Sequence, residues 1–353
     1  MLNPLPPAQK IKIDIETVNL INDAEKSFLL LEGALSVLPQ NHHAIQLLKL
    51  NESINSFRVD GFNYGIINYW EQEEEVLIKV NDYLSAVELG EKLLKNVAHA
   101  SHIIKSVHKE FLGSDTEIST NGFRDTNSWV GNYSTSVDNA EYIPPKPADI
   151  PKLMEEFDQY ISSDISYPVF VNAALIHAQL EMIHPFSSCN GLTGRILLLL
   201  HFIWKKKLSV PVLQVSSVLN KRRNEYFDRL GDLERNNNWD GWVKFFLKCI
   251  TESANKTRSI LINLVRLEKE DHDKLIEKEF ATTASLKLFE YLLANPVVSV
   301  PKITSALGYS KQTTNLLITK FLEETILHET TGKRRYRIYS YKKIINLFDE
   351  ITA

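Results

Sequence analysis

The chain has 353 residues, of which 44% are hydrophobic and 24% are charged. These fractions are typical of globular proteins and exclude a disordered, collagen-like or disulfide-stabilised chain, while the length is sufficient for two or three domains. The formal net charge is −4, but residues 281–353 carry ten Lys and Arg against six Asp and Glu, which indicates a basic C-terminal module after a more acidic remainder.

The two cysteines, Cys189 and Cys249, are too far apart for a zinc or redox motif, and free thiols favour a reducing compartment. The first residues lack the apolar segment of a signal peptide. The longest apolar run, Ile196–Trp204, is far shorter than the roughly 18 residues that cross a membrane. The sequence therefore predicts a cytoplasmic protein with no membrane partner.

Hydrophobic periodicity predicts helices along most of the chain. After an extended, proline-rich start at Leu2–Pro7, apolar residues recur at i, i+3, i+4 and i+7 from Thr17 to Leu38. Further helical patterns follow, in chain order, at His43–Ile54 with a break at Gly61, Val76–Lys109 with a break near Gly90, Ile150–Ile161, Tyr167–Ile183, Leu192–Trp204, Val215–Gly231 and Trp239 to about Glu279.

Two segments depart from this helical pattern. Between Phe111 and Pro147, where Gly, Asn, Ser and Pro accumulate, Trp129–Val130 and Glu141–Ile143 predict the strands of a hairpin. The last residues predict a winged helix-turn-helix, because their elements follow its order. Those elements are helices at Ala284–Ala294, Val300–Leu307 and Ser310–Glu323, then strands at Ile326–Glu329 and Arg334–Tyr341.

The segment His184–Arg195, with the sequence HPFSSCNGLTGR, separates two apolar helices. Pro185 disfavours helical geometry at His184, so the first helix ends there, and the next is expected to begin near Leu192. Asn190 and Gly191 are expected to allow positive φ angles in the turn. Free N–H groups at the start of a helix, with an arginine in its first turn, form an anion site. A buried structural histidine and a plain helix start are the alternatives.

These residues resemble the motif HPFx[D/E]GNGRxxR of the Fic (Fido) family. His184, Pro185, Phe186, Asn190, Gly191 and Arg195 stand at matching positions. The flanking segments also resemble the family: Phe123–Arg124, Trp129–Gly131, Tyr142–Pro145 and His177–Glu181. The segment Ser56–Gly61 resembles the family's inhibitory helix, [S/T]xxxE[G/N].

The resemblance implies a mainly α fold with a Fic-type helical core, a small β-hairpin flap and a C-terminal winged helix-turn-helix. Four parts are expected along the chain. They are an N-terminal helical region (1–110) with the inhibitory helix at about 50–61, a catalytic-type core (111–255), a linker helix (256–280) and the winged helix-turn-helix (281–353).

The resemblance also implies an activity: transfer of AMP from ATP to a Ser, Thr or Tyr hydroxyl of a protein. His184 is then the base that deprotonates the hydroxyl. Asp60, with Ser56, is the inhibitory element and pairs with Arg195. Tyr142 and Ile143 belong to a flap that docks target peptide by adding a strand. Residues expected at the nucleotide or its phosphates are Phe186, Ser188, Asn190, Gly191, Gly194, Arg195 and, beside the adenosine, Tyr226.

Three positions depart from the family motif and leave the enzymatic activity open. Ser188 replaces the carboxylate that holds Mg²⁺, so ATP is the expected cofactor and Mg²⁺ has no assigned ligand. Leu192 replaces the first arginine, which contacts phosphate. Cys189 replaces a glycine where the loop requires a positive φ angle, so its Cβ is expected to strain the loop.

The alternative to an enzyme is an inactive nucleotide-binding or DNA-binding regulator with a Fic fold. On the winged helix, Lys311, Gln312, Thr313 and Asn315 are the residues expected to face a DNA groove, although packing against the rest of the protein explains this module equally well. The expected partners are ATP or another nucleotide and a protein substrate, which includes the chain itself. The sequence decides neither the target, nor the transferred group, nor whether the chain is a homodimer.

Overall fold

The computed structural model describes residues 10–95, 100–112, 122–130, 142–163 and 167–349, together with residues 5 and 7. The proline-rich start, most of the predicted flap and the end of the chain lie outside these residues. Within the described ranges, none of the helices combines the length and the apolar composition that crossing a bilayer requires.

The described chain is mainly helical, as predicted. Its helices are α1 (Ile15–Leu35), α2 (His43–Val59), α3 (Ile66–Trp70), α4 (Glu74–Leu93), α5 (Ala100–Leu112), α6 (Ile150–Ser162), α7 (Val169–Ile183), α8 (Asn190–Trp204), α9 (Val215–Lys221), α10 (Arg223–Asn236), α11 (Trp239–Glu277), α12 (Thr283–Ala294), α13 (Val300–Leu307), α14 (Lys311–Glu323) and α15 (Lys342–Asp349). The strands are β1 (Val297–Ser299), β2 (His328–Glu329) and β3 (Ile338–Ser340).

Val76–Lys109 is divided between two helices, as predicted, but the break lies a few residues beyond Gly90, because α4 ends at Leu93 and α5 begins at Ala100. Gly90 lies where α4 packs on α8, and a side chain there would collide with Leu200. The glycine therefore provides a close helix contact rather than a turn. The predicted boundary between residues 255 and 256 falls inside the single helix α11, which packs along α1 at one end and contacts α15 at the other.

The apolar helices α7 and α8 are buried along almost their whole length, as their continuous hydrophobic patterns predict. Aromatic side chains connect them to α1, since Phe28 contacts both Phe170 and Phe202 with ring centroids 4.8 and 4.7 Å apart. From α11, the Trp242 indole N–H donates to the Ala174 carbonyl at 2.8 Å. This packing fixes the end of α7 and the start of α8, and residues 184–189 form the loop between them.

Helix α2 is buried on nearly every side, although many of its residues are polar. Its polar groups therefore need partners, and α9 with the segment before it provides them. Asn51 donates to the Gln214 side chain at 2.6 Å, and Gln214 donates to the backbone carbonyls of Leu48 and Val212. The next residue, Glu52, accepts from the backbone N–H and the hydroxyl of Ser216.

The C-terminal region forms a three-stranded antiparallel sheet in the order β1-β3-β2 beside α12, α13 and α14. The two predicted strands are shorter than expected, and β1 and α15 were not predicted. Hydrogen bonds connect this region to α11. The Tyr341 hydroxyl and the Lys343 ammonium both donate to Asp271 of that helix. The winged-helix assignment stays a prediction. The α14 residues Lys311, Gln312 and Asn315 are exposed, and Thr313 is half-buried.

We expect Gln214→Ala to lower the free energy of unfolding by about 2–4 kcal/mol, because it leaves the buried amide of Asn51 without its partner and removes the hydrogen bonds to the carbonyls of Leu48 and Val212. Urea denaturation measures this value. Gln46→Ala, on the exposed face of α2, is the matched control and should change it by less than about 0.5 kcal/mol. A similarly small loss for Gln214→Ala would show that this network does not hold α2.

Candidate functional site

The loop between α7 and α8 begins and ends with residues in the left-handed region. His184 follows the last residue of α7 with a φ of 50°, and Cys189 precedes α8 with a φ of 57°. The strain expected at Cys189 is therefore present, and such a backbone costs a non-glycine residue about 1–3 kcal/mol. The positive φ angles expected at Asn190 and Gly191 are wrong, since α8 starts at Asn190, two residues before the expected start.

The side chains of Asn190 and Phe186 hold the loop together and do not face a ligand site. Asn190 accepts from the Phe186 backbone N–H at 2.9 Å and donates to the Phe186 carbonyl at 2.8 Å. The Phe186 ring is buried and stacks on His108 at 3.7 Å, and His108 Nε2 lies 3.1 Å from the Ser188 carbonyl oxygen. The roles expected of Asn190 and Phe186 at a nucleotide stay predictions.

Arg195 is the centre of the site. Its side chain is 1% exposed, and three groups from the end of α2 surround its guanidinium. Nε donates to the Ser56 hydroxyl at 2.7 Å, Nη2 donates to the Ser56 carbonyl at 2.8 Å, and Nη2 lies 2.9 Å from Oδ1 of Asp60. The predicted ion pair between Asp60 and Arg195 is confirmed, and Ser56 contacts the same guanidinium.

Gly191 allows this ion pair to lie over the start of α8. A Cβ atom on Gly191 would be 2.8 Å from Nη1 of Arg195 and 2.8 Å from Oδ1 of Asp60. The Asp60 carboxylate is thus close to the first turn of α8, where unpaired backbone N–H groups attract an anion. Burial raises the pKa of Asp60, whereas Arg195 and Arg223 act in the opposite direction. The Asp60 carboxylate therefore lies beside the part of α8 at which the sequence predicts an anion site.

His184 lies in a largely buried position at the end of α7. Burial lowers the pKa of its imidazole to about 4, so the ring is neutral at pH 7. The Arg124 guanidinium fixes the backbone here, because it donates to the carbonyls of His184 at 2.7 Å, Thr126 at 2.9 Å and Pro145 at 2.5 Å. A neutral imidazole can accept a proton, which is the chemistry expected of His184.

Glu181, one turn before His184, packs against Gly194 of α8. A Cβ on Gly194 would collide with its carboxyl group, so the glycine makes room for Glu181. Burial raises the pKa of Glu181 to about 7, while Arg195 opposes the shift. Its Oε1 atom is buried without a hydrogen-bond partner among the described residues. The absence of a side chain on Gly194 therefore serves the packing of Glu181, and its contact with phosphate stays a prediction.

The flap is described at its two ends only. Val130 and Tyr142 form an antiparallel bridge through both backbone hydrogen bonds, at 2.8 and 3.2 Å. The Tyr142 hydroxyl donates to the Met182 carbonyl at 2.6 Å, which attaches the flap to α7. Ile143 is 61% exposed. Successive residues of a strand direct their backbone N–H and C=O groups to opposite edges. The backbone groups of Tyr142 face Val130, so those of Ile143 face the other edge.

Tyr226, expected beside the adenosine, is buried in the core instead. Its hydroxyl lies 3.0 Å from Nε2 of His177, and its side chain is 1% exposed. The neighbouring residue Phe227 lines a cavity of about 50 Å³ together with His184, Tyr142 and Glu181. A pocket for a drug-sized ligand measures about 300–1,000 Å³, so this cavity is too small for a nucleotide in the present conformation.

Four further residues lie at the site, and the sequence patterns assigned no role to any of them: Arg124, His108, Arg223 and Glu181. Arg124 and Glu181 stand in segments that resemble the family, so the resemblance was the available signal. His108 lies on a regular amphipathic helix and Arg223 in a charged one, and nothing in either pattern distinguishes them from structural or solvated residues. Arg223 donates to the Val59 carbonyl at 2.9 Å, beside Asp60.

The residues present do not fit a Mg²⁺ ion held as in the Fic motif. Ser188 offers a neutral hydroxyl where that motif has a carboxylate, and Asp60 is already paired with Arg195. Leu192, at the position of the first motif arginine, is 1% exposed and belongs to the hydrophobic core. An arginine at this position would bury a charge, so the change is part of the packing of this chain.

Comparisons with known proteins agree with this geometry. Residues 94–202 match the model of the Fic/DOC family. The protein adenylyltransferase Fic of Culex quinquefasciatus is 26% identical over 237 residues, which cover 66% of this chain and 40% of that protein. The protein of the same name from Drosophila grimshawi is 28% identical over 162 residues, 45% of this chain and 29% of its own length. The chain thus spans less than half of the length of these two relatives.

Solved structures extend the likeness of the fold. A Fic family protein from Desulfovibrio desulfuricans G20 has a TM-score of 0.60 at 14% identity, covering 97% of this chain and 98% of its own. A Fic domain containing signaling protein from Bacteroides thetaiotaomicron has a TM-score of 0.51 at 16% identity, covering 69% and 96%. The predicted resemblance to the Fic family is confirmed.

We expect the imidazole of His184 to stay neutral down to about pH 5, because burial lowers its pKa to about 4. NMR titration of labelled histidines in the full chain measures this, with the exposed His102 as an internal reference. Since unfolded histidines bind a proton near pH 6.5, the same shift destabilises the folded chain as the pH falls below about 6. A titration midpoint at the ordinary value would contradict the buried position of His184.

Proposed function

Because residues 94–202 of this chain match the model of the Fic/DOC family, we propose that it is a protein adenylyltransferase that α2 holds in an inhibited state. It transfers AMP from ATP to a Ser, Thr or Tyr hydroxyl of a protein. The observation that carries the proposal is the grouping of a neutral His184, the start of α8 and the buried Arg195 around one loop. The names of the curated relatives support the same activity.

The transfer needs a base and a site for phosphate. His184 takes the proton of the target hydroxyl through a ring nitrogen, which burial keeps unprotonated. The hydroxyl oxygen then forms a bond to the α-phosphorus of ATP, and the bond from that phosphorus to the departing pyrophosphate breaks. The backbone N–H groups at the start of α8 and the Arg195 guanidinium stabilise the phosphate oxygens on which negative charge increases.

In the proposed inhibited state, Asp60 and Ser56 take the place of phosphate. Both residues bind Arg195, and the Asp60 carboxylate lies beside Gly191 at the start of α8. Binding of ATP with its phosphates in this position must break the ion pair and move the end of α2. The small size of the cavity beside His184 supports a closed site.

ATP is the proposed nucleotide, and the family uses a divalent metal with it in general. Since the residues at the loop do not fit Mg²⁺ in the manner of the motif, no step of this proposal depends on it. The target is a protein segment that adds to the free edge at Ile143, and the chain itself is a candidate target. DNA binding, self-association and a cytoplasmic location stay predictions. The alternative of an inactive nucleotide- or DNA-binding regulator is not favoured by the relatives' names.

We expect Asp60→Ala to increase the transfer of labelled AMP from ATP by at least about tenfold, equivalent to about 1.4 kcal/mol in the barrier. The change frees Arg195 and the start of α8 for phosphate. Mass spectrometry of the modified protein measures the transfer, and His184→Ala in the same background should abolish it.

Asp23→Ala, an exposed position on α1, is the matched control and should leave the transfer unchanged. The melting temperature of each variant identifies a loss of folding. A folded Asp60→Ala variant that transfers no more AMP than the wild type would contradict the inhibitory role of Asp60.

A second prediction concerns the carboxylate that the loop lacks. Ser188→Asp, made together with Asp60→Ala, should increase the Mg²⁺-dependent transfer by a further tenfold or more, because it supplies an oxygen ligand beside the phosphates. Ser187→Asp, the exposed neighbour, adds the same charge and should not. Titration of ATP with and without Mg²⁺ by calorimetry reports the gained metal dependence. Strong Mg²⁺-dependent transfer by the wild-type chain would show that another group binds the metal.

A further inference from the structure

A second group of side chains lies at the opposite end of α2 from Asp60. His42 and His43 begin this helix, and Glu268 of α11 faces both of them. Three metal-binding atoms of these residues lie within 4.8 Å of one another. All three side chains are partly buried, with exposures of 15%, 16% and 29%. Neither the sequence patterns nor the proposed transfer gives them a role.

The distances in this group are those between ligands of one metal ion. Oε2 of Glu268 lies 3.4 Å from Nε2 of His42 and 3.1 Å from Nε2 of His43. With metal–ligand bonds of about 2.0–2.1 Å, neighbouring ligands of a tetrahedral zinc ion are about 3.3 Å apart. Hydrogen bonds from a nitrogen to an oxygen extend to about 3.2 Å, so the 3.4 Å contact of His42 lies beyond that range and the 3.1 Å contact of His43 lies at its upper end.

The orientation of His43 gives an independent indication. Its Nε2 atom is buried and has no hydrogen-bond partner among the described residues, although the carboxylate oxygen is only 3.1 Å away. The ring nitrogen therefore does not point at the carboxylate. A buried nitrogen without a hydrogen bond is costly, and a metal ion placed between the two side chains would satisfy both of them.

We propose that His42, His43 and Glu268 form a binding site for a divalent transition-metal ion, of which Zn²⁺ is the best match. Two imidazoles and one carboxylate are ligands that zinc accepts, and the fourth position is left to water. The ion links the start of α2 to α11. It is separate from the nucleotide chemistry, so the proposal does not depend on the transfer activity.

Metal binding competes with a capping contact of α2. Nδ1 of His42 accepts from the Ala44 backbone N–H at 3.2 Å, which in a neutral ring places the proton on Nε2. A metal on Nε2 moves that proton to Nδ1, and the capping contact is then lost. Metal binding therefore removes one weak hydrogen bond at the start of α2 and adds three coordination bonds, two to histidines of this helix start and one to Glu268 of α11. Metal binding thereby acts on the helix that carries Asp60 at its other end.

The test uses the full chain, freed of metal with a chelator and titrated with Zn²⁺ by calorimetry. We expect one equivalent to bind and to raise the melting temperature. His43→Gln and Glu268→Gln should each weaken binding by about a hundredfold or more, with unchanged circular dichroism. His102→Gln and Glu270→Gln, at exposed positions on α5 and α11, are the matched controls and should bind as the wild type does.

A measurement on the wild-type chain keeps the test independent of how the variants fold. Co²⁺ in place of Zn²⁺ should give the intense visible bands of a tetrahedral site, and X-ray absorption should show two imidazole nitrogens and a carboxylate oxygen around Zn²⁺. The proposal is overturned if the wild type binds no Zn²⁺, if the Gln variants bind it as tightly as the controls, or if the absorption spectra show an octahedral ion without imidazole ligands.

Discussion

A buried guanidinium is the constraint on which the rest of this structure depends. Arg195 cannot lose its charge, and an arginine inside a protein must find hydrogen bonds and a counter-charge. Ser56 and Asp60 supply both from the end of α2. The absence of a side chain on Gly191 lets this contact close over the start of α8. The end of α2 is thus held against α8 by its contacts with one buried arginine.

The same need explains why a helix with so many polar residues is buried. Helix α2 cannot be held by apolar packing alone, so Gln214 and Ser216 satisfy its middle while Arg195 satisfies its end. Removing one partner of such a polar contact is costly, but another group with equivalent hydrogen-bonding atoms can take its place. A phosphate can replace a carboxylate beside Arg195, whereas nothing in a nucleotide replaces Gln214. The end of α2 is therefore the part suited to move, and its middle is the part that stays.

The sequence was sufficient to predict the features that depend on local residue patterns and on the order of elements along the chain. It predicted the buried helices α7 and α8, the loop between them and the pairing of Asp60 with Arg195, since periodicity, Pro185 and the family motif each constrain a short segment. It failed where the outcome depends on contacts between distant segments. Phe186 stacks on His108 of α5, and Gly90 allows α4 to meet α8. The pairing of β1 with β3, far along the chain, has no local pattern either.

The most direct test of the account is a crystal structure of the Asp60→Ala chain with a non-hydrolysable ATP analogue. The account predicts that phosphate oxygens accept hydrogen bonds from the backbone N–H groups at the start of α8 and from the Arg195 guanidinium, in the position that Asp60 vacates. It also predicts that His184 faces the α-phosphorus. Phosphates bound elsewhere, with Arg195 still enclosed by α2, would contradict it.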